Sequence, residues 1–121
     1  MARILVIDDE EQIRTMLRQV LQDAGYEVDD ASNGVEGIKR YHENPADLII
    51  TDMIMPRKEG METILDLRLD YPSVKVIAIS GGGRLGPQPY LEIAEGLGAV
   101  RVFTKPFRIE DLLMAIRNLI G

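Results

Sequence analysis

The chain has 121 residues, 45% of them hydrophobic, and we predict that residues 1–121 form one domain around a single core. Its formal net charge of −6 argues against direct binding of nucleic acid, which needs a basic surface to neutralise phosphates. Because the chain has no cysteine and one histidine, His42, we exclude disulfides, cysteine nucleophiles and histidine-rich zinc sites. No apolar run is long enough to cross a membrane, and the first residues lack the layout of a signal peptide, so we expect a cytoplasmic protein with no membrane partner.

Five short runs with the composition of β-strands divide the chain. They are Arg3–Ile7, Glu27–Ala31, Leu48–Thr51, Lys75–Ile79 and Val100–Thr104. Three of them contain consecutive apolar residues, at Ile4–Ile7, Leu48–Ile50 and Val76–Ile79. A strand that is apolar on both faces is buried on both faces, which is typical of the centre of a parallel sheet.

A helical pattern follows each predicted strand. The clearest one has apolar residues three and four positions apart, at Ile13, Met16, Leu17, Val20 and Leu21. We expect it to end at Ala24-Gly25, because glycine favours a helix C-terminus. The other helices are predicted at Val35–Tyr41, at Met61–Leu69, at Tyr90–Leu97 and in a final segment with Ile109, Leu112, Leu113 and Ile116. Strands that alternate with helices predict an α/β fold, a doubly wound five-stranded parallel sheet with helices on both faces.

Polar residues follow four of the five predicted strands. Asp8 and Asp9 follow the first strand, Asp52 the third, Ser80 the fourth and Lys105 the fifth. In a doubly wound sheet the ligand crevice lies at the carboxyl ends of the strands. We therefore expect these five side chains to converge at one edge of the sheet.

Three carboxylates, a hydroxyl and an amine at one place predict phosphoryl chemistry. Carboxylates a few ångströms apart repel each other unless a cation joins them, and Mg²⁺ prefers carboxylate, water and phosphate oxygens. Asp8, Asp9 and Asp52 therefore form a candidate Mg²⁺ site. Asp52 is the candidate nucleophile, whereas Ser80 and Lys105 are expected to stabilise the charge of a phosphoryl group.

Three strings of the sequence resemble the receiver domains of two-component response regulators. They are Val6-Ile7-Asp8-Asp9-Glu10, Thr51-Asp52-Met53-Ile54-Met55-Pro56 and Lys105-Pro106-Phe107. The resemblance covers essentially the whole chain and implies the flavodoxin-like (βα)5 fold of the chemotaxis response regulator. It also implies a phosphoacceptor switch rather than a conventional enzyme, one that assists its own phosphorylation and dephosphorylation. The phosphoryl donor would be a histidine kinase or a phosphotransfer protein, and the output would be an unidentified partner or a phosphorylation-dependent homodimer.

The resemblance implies roles for the metal-binding residues and the phosphoacceptor. Asp52 matches the phosphoacceptor, Asp9 the direct metal ligand and Asp8 the acid that acts through a metal-bound water. The backbone carbonyl of Ile54 matches the third protein ligand of the metal. In this family the hydrolytic water passes two side chains, which here are Ile54 and Gly82. Neither can hydrogen-bond the water, so we expect the phosphoryl group to be lost slowly.

Ser80 and Lys105 match the hydroxyl and the amine that contact the phosphoryl oxygens, but two features depart from the family pattern. Val102 occupies the position of the aromatic residue that usually rotates on phosphorylation, and Phe103 is expected on the opposite face of the strand. The segment Gly81–Pro89 is a few residues longer than the usual loop, which we expect to delay or shorten the fourth helix.

The sequence is less consistent with three alternative functions. An aspartyl-nucleophile phosphatase of the haloacid-dehalogenase type would need a second acid where Ile54 stands. A flavodoxin-like FMN carrier would need a Ser/Thr-rich phosphate loop where the chain has Asp8-Asp9-Glu10-Glu11. A degenerate receiver that serves only as a docking module is favoured by Val102 and opposed by the full set of acids, Ser80 and Lys105.

Overall fold

The computed structural model describes residues 2–52, 60–80, 101–104 and 107–121, which form five strands and four helices. The strands are β1 (Arg3–Ile7), β2 (Glu27–Ala31), β3 (Leu48–Asp52), β4 (Val76–Ser80) and β5 (Arg101–Thr104). The helices are α1 (Glu11–Asp23), α2 (Gly34–Glu43), α3 (Gly60–Asp70) and the C-terminal helix (Ile109–Ile120). The predicted helix at Tyr90–Leu97 lies outside the described residues.

All five strands are parallel and belong to one sheet with the order β2-β1-β3-β4-β5. The chain therefore moves outward from β1 in one direction and from β3 in the other. The strand order reverses between these two central strands, and in doubly wound sheets ligands bind at that reversal, beyond the carboxyl ends of the strands. The topology thus points to the ends of β1 and β3 as the place for a functional site.

The core lies on both faces of the sheet, as the consecutive apolar residues predict. On one face α2 and α3 cover Leu5, Ile7 and Ile49, and on the other α1 and the C-terminal helix cover Ile4 and Ile50. The helices contribute buried side chains such as Ile64, Leu67, Leu17, Leu21, Leu112 and Ile116. The predicted doubly wound parallel sheet is confirmed.

Among the described residues, strand ends differ from the sequence prediction by one residue in two strands, β3 and β4. β3 continues through Asp52, and β4 runs from Val76 to Ser80 rather than from Lys75 to Ile79. These polar residues extend the strands because their backbone pairs across the sheet, with Asp52 opposite Ile79 and Ser80 opposite Thr104. Backbone pairing of this kind does not depend on side-chain hydrophobicity and leaves no apolar pattern in the sequence.

The end of α1 confirms the predicted stop at Ala24-Gly25. Gly25 has a φ of +100°, in the left-handed region that favours glycine. The N–H of Gly25 donates to the carbonyl of Gln22 at 3.0 Å, and the N–H of Tyr26 donates to that of Leu21 at 3.1 Å. These two bonds form a Schellman motif, which satisfies the last carbonyls of the helix and turns the chain into β2.

The edge strand β2 carries two adjacent acids, and each is paired with an arginine of a different helix. Arg18 of α1 contacts Asp30 at 2.9 Å, and Arg40 of α2 contacts Asp29 at 3.0 Å. Successive residues of a strand point to opposite faces, so the two arginines fasten helices to both sides of this edge. Within the described part of the chain, no helix is long and apolar enough to span a membrane.

Candidate functional site at the carboxyl end of the sheet

Three predicted acids meet where β1 and β3 end. Ile7 of β1 pairs with Thr51 of β3, so the residue after each of them, Asp8 or Asp52, lies at the same level of the sheet. One carboxylate oxygen from each of Asp8, Asp9 and Asp52 can be chosen so that all three lie within 4.8 Å of one another. Asp8 is 2% exposed and Asp52 is 6% exposed, whereas Asp9 is open to solvent.

The size and chemistry of this acidic cluster fit a small divalent cation. Two oxygens on opposite sides of one Mg²⁺ are about 4.2 Å apart, twice the usual Mg–O distance. The spacing of the cluster is therefore close to what a single ion, with water completing its coordination, requires. Two buried carboxylates beside an exposed one repel each other, and a bound cation removes that repulsion.

Asp8 is held by hydrogen bonds at its backbone and at its side chain. Its N–H donates to the carbonyl of Ala31 in β2 at 3.1 Å, and its carboxylate accepts from the N–H of Glu10 at 2.9 Å. Its carbonyl accepts from Nη1 of Arg14 at 2.7 Å. Sequence reasoning did not identify Arg14, because nothing in the pattern of α1 distinguishes it from Arg18 one turn later.

Asp52 is the last residue of β3, a strand that is buried along its whole length. The hydroxyl of the buried Thr51 donates to the carbonyl of Asp52 at 3.1 Å. This bond satisfies a hydroxyl that burial would otherwise destabilise. β3 is central and is paired on both sides, so the backbone beneath Asp52 is held by β1 and β4.

The remaining predicted site residues are described only in part. Ser80 ends β4, and its backbone pairs with Thr104, the residue before Lys105. Since Asp52 pairs with Ile79, Ser80 belongs to the same edge of the sheet as the three acids. Ile54 and Lys105 lie outside the described residues.

Val102, which stands where an aromatic residue was expected, and its neighbour Phe103 lie on opposite faces of β5. Val102 is half-buried and packs against the core on the side of α2 and α3. Phe103 packs against the core on the side of α1 and the C-terminal helix, with its ring 6.0 Å from that of Phe107. The expectation that Phe103 is on the opposite face from Val102 is confirmed.

Comparison with known sequences assigns this combination of fold and acids to one family of proteins. The family model described as the response regulator receiver domain matches residues 4–117. The chemotaxis protein CheY of Listeria monocytogenes is 33% identical to this chain over 119 residues, which is 98% of each chain.

Solved structures are similar over nearly the full length as well. A response regulator receiver domain protein from Clostridium thermocellum has a TM-score of 0.90 at 37% identity, covering 99% of this chain and 94% of its own. The response regulator protein TrrA from Thermotoga maritima, in complex with Mg²⁺ and BeF, has a TM-score of 0.87 at 32% identity, covering 99% of this chain and 100% of its own. These neighbours confirm the fold that the sequence strings implied.

Proposed function

Because this chain belongs to the response regulator receiver domain family, we propose that it is a phosphoacceptor switch that receives a phosphoryl group on Asp52 in the presence of Mg²⁺. The observation that carries this proposal is the meeting of Asp8, Asp9 and Asp52 within 4.8 Å at the reversal of strand order. The phosphoryl donor in this proposal is a histidine kinase or a phosphotransfer protein.

The proposed transfer is a displacement at phosphorus. A carboxylate oxygen of Asp52 forms the new P–O bond while the P–N bond to the donor histidine breaks, and the histidine nitrogen keeps the electron pair. The held backbone of β3 keeps the Asp52 carboxylate at the end of the strand, so little reorganisation is needed when a donor arrives. Ser80 and Lys105 are proposed to stabilise the phosphoryl oxygens.

The residues present fit the Mg²⁺ that this transfer needs. We assign Asp9 and Asp52 as direct ligands, with the carbonyl of Ile54, and Asp8 as a ligand through water. When bound, the cation would neutralise charge that builds up on the phosphoryl oxygens. TrrA, at 32% identity, was solved with Mg²⁺ and BeF, which supports the proposal that this chain also binds Mg²⁺.

Other parts of the proposal rest on family membership. We infer that phosphorylation changes a surface that binds an output partner or a second copy of the chain. We also keep the predictions that residues 1–121 form one domain and that the protein is cytoplasmic. Direct contact with nucleic acid is not part of the proposal, since the net charge is −6.

The test is the intact mass of the protein after incubation with acetyl phosphate and Mg²⁺. We expect one added phosphoryl group in the parent and none in Asp52→Asn. Asp47→Asn is the matched control, because Asp47 is an exposed aspartate just before the other end of the same strand. An unmodified parent would favour the docking-module alternative, and an adduct that persists in Asp52→Asn would overturn the choice of residue.

A further inference from the structure

Arg14 connects α1 to the acidic turn after β1. It is half-buried and is the fourth residue of the helix. Its backbone N–H donates to the carbonyl of Glu10 at 3.1 Å, as expected in the first turns of a helix. Its side chain reaches further back, and Nη1 donates to the carbonyl of Asp8 at 2.7 Å.

We propose that Arg14 is a positioning residue for the metal site, which acts by orienting the carboxylate of Asp9. The carbonyl of Asp8 and the N–H of Asp9 belong to one planar peptide group. A hydrogen bond that holds this carbonyl therefore also fixes the direction in which the Cα of Asp9 leaves the peptide plane. The inference rests on the proposed function, in which Asp9 is a direct ligand.

The geometry shows why Asp9 is the acid that depends on this restraint. Asp8 is buried, and its carboxylate is held by the N–H of Glu10 at 2.9 Å. Asp9 is exposed, so surrounding side chains do not enclose it in one orientation. An exposed ligand stays close to its two buried neighbours only if its backbone is held, and the bond from Arg14 holds that backbone.

The choice of acceptor atom also matters. A guanidinium that pairs with a metal-binding carboxylate competes with the cation for its oxygens. The 2.7 Å bond of Arg14 goes instead to a backbone carbonyl, which restrains the turn without occupying a carboxylate oxygen. Partners of this kind, one step removed from the metal, commonly orient the ligands that bind it.

Arg18 provides a matched comparison on the same helix. It lies one turn after Arg14 and is also half-buried. Its guanidinium donates to the carbonyl of Val28 at 3.1 Å and to the carboxylate of Asp30 at 2.9 Å. Arg14 and Arg18 therefore both connect α1 to a backbone carbonyl. The carbonyl bound by Arg14 belongs to the acidic turn, whereas the one bound by Arg18 belongs to β2.

The experiment compares Mg²⁺ binding in Arg14→Gln and Arg18→Gln by calorimetric titration of the full chain. Each variant removes one positive charge, and loss of a positive charge near three acids would by itself favour a cation. We expect the opposite for Arg14→Gln, a dissociation constant for Mg²⁺ about tenfold higher than that of the parent. For Arg18→Gln we expect a change of less than about twofold, because the affected contacts lie at β2.

A second readout does not involve the metal. In the metal-free protein we expect hydrogen exchange at the amide of Glu10, which donates to the carboxylate of Asp8 at 2.9 Å, to be faster in Arg14→Gln than in the parent and unchanged in Arg18→Gln. Thermal unfolding identifies any loss of folding, and Arg14→Met, which removes the donor but keeps a long side chain, replaces Arg14→Gln if that variant does not fold.

The outcomes separate this inference from the proposed function. Parental Mg²⁺ affinity in Arg14→Gln, or an equal loss in Arg18→Gln, would overturn the positioning role while leaving the Mg²⁺ site intact. A parent that binds no Mg²⁺ would overturn both. A Glu10 amide that exchanges at the parental rate in Arg14→Gln would show that the bond from Arg14 does not hold the turn, and the inference would be wrong.

Discussion

Gly37 in α2 lies directly against the side chain of Ile7 at the end of β1. A Cβ atom on Gly37 would collide with Cδ1 and Cγ1 of Ile7, a residue with no exposed surface. The helix comes this close to the sheet because residue 37 has no side chain. Ile7 is also the residue before Asp8, so this contact lies directly beneath the acidic site.

We predict that Gly37→Ala destabilises the protein by about 1 to 3 kcal/mol, the usual cost of overpacking a core. Helix propensity alone would change the unfolding free energy in the opposite direction, because alanine is favoured over glycine in a helix by up to about 1 kcal/mol. Urea denaturation measures the free energy of unfolding. Ile7→Val removes the Cδ1 atom, so it should cost less stability in the Gly37→Ala background than in the parent; additive effects would contradict the proposed collision.

Substitution of Asp9 should weaken Mg²⁺ binding more than substitution of its neighbour Asp8. We expect Asp9→Ala to weaken Mg²⁺ binding at least about tenfold in a titration, because it removes a direct ligand. Asp8→Asn, which keeps an oxygen to accept from Glu10, should weaken it less. Since Asp9 is exposed, its substitution should leave the unfolding temperature of the metal-free protein nearly unchanged. Unchanged affinity in Asp9→Ala would contradict the proposed ligand set.

The lowered pKa of Glu36 in α2 predicts that the free energy of unfolding falls slightly at acid pH. Partial burial acts to raise the pKa of Glu36, but the hydrogen bonds from Arg40 and Ser32 outweigh it and hold this pKa below its ordinary value of 4.5. A carboxylate with a lowered pKa stabilises the fold above pH 4.5, and this stabilisation is lost as the pH falls through the lowered value. The side chain is 38% exposed, so the contribution should stay below about 0.5 kcal/mol.

The measurement for Glu36 is the difference in unfolding free energy between the parent and Glu36→Gln from pH 7 to pH 3. We expect the variant to be less stable at neutral pH and the difference to shrink below pH 4.5. Glu43→Gln, an exposed substitution at the last residue of the same helix, is the control for removing one carboxylate from α2. A difference that grows towards acid pH would contradict the sign of the pKa shift.

The lifetime of the phosphoryl group is predicted from Ile54 and Gly82, two positions outside the described residues. Neither side chain can hydrogen-bond an attacking water, and positioning of a nucleophile can lower a barrier by several kcal/mol. We therefore expect slow self-dephosphorylation, and faster hydrolysis in the double variant with Ile54→Asn and Gly82→Glu. The decay of radiolabelled phosphoprotein measures the rate. A double variant that keeps its phosphoryl group as long as the parent would show that water positioning does not limit hydrolysis here.

Much of the fold and the acidic site could be predicted because the responsible patterns are local. Leu48–Ile50 is apolar on consecutive positions, which occurs in strands covered on both faces, and β3 is buried as predicted. Gly25 marks the end of α1 because few other residues adopt its backbone conformation. Asp8, Asp9 and Asp52 could be grouped in advance, since the carboxyl ends of parallel strands share one edge.

Only the tertiary structure decided which strands are neighbours and which side chains support the site. The pairing of β1 with β3 joins residues more than 40 positions apart, and no local pattern encodes that register. The same is true of the contact between Gly37 and Ile7 and of the bond from Arg14 to Asp8. Arg14 and Arg18 occupy equivalent places on α1 in the sequence, yet one fastens the acidic turn and the other an edge strand. These partners differ because one helical turn separates the two arginines, and the packing of α1 against the sheet decides which backbone carbonyl each can reach. That packing is a property of many distant residues acting together.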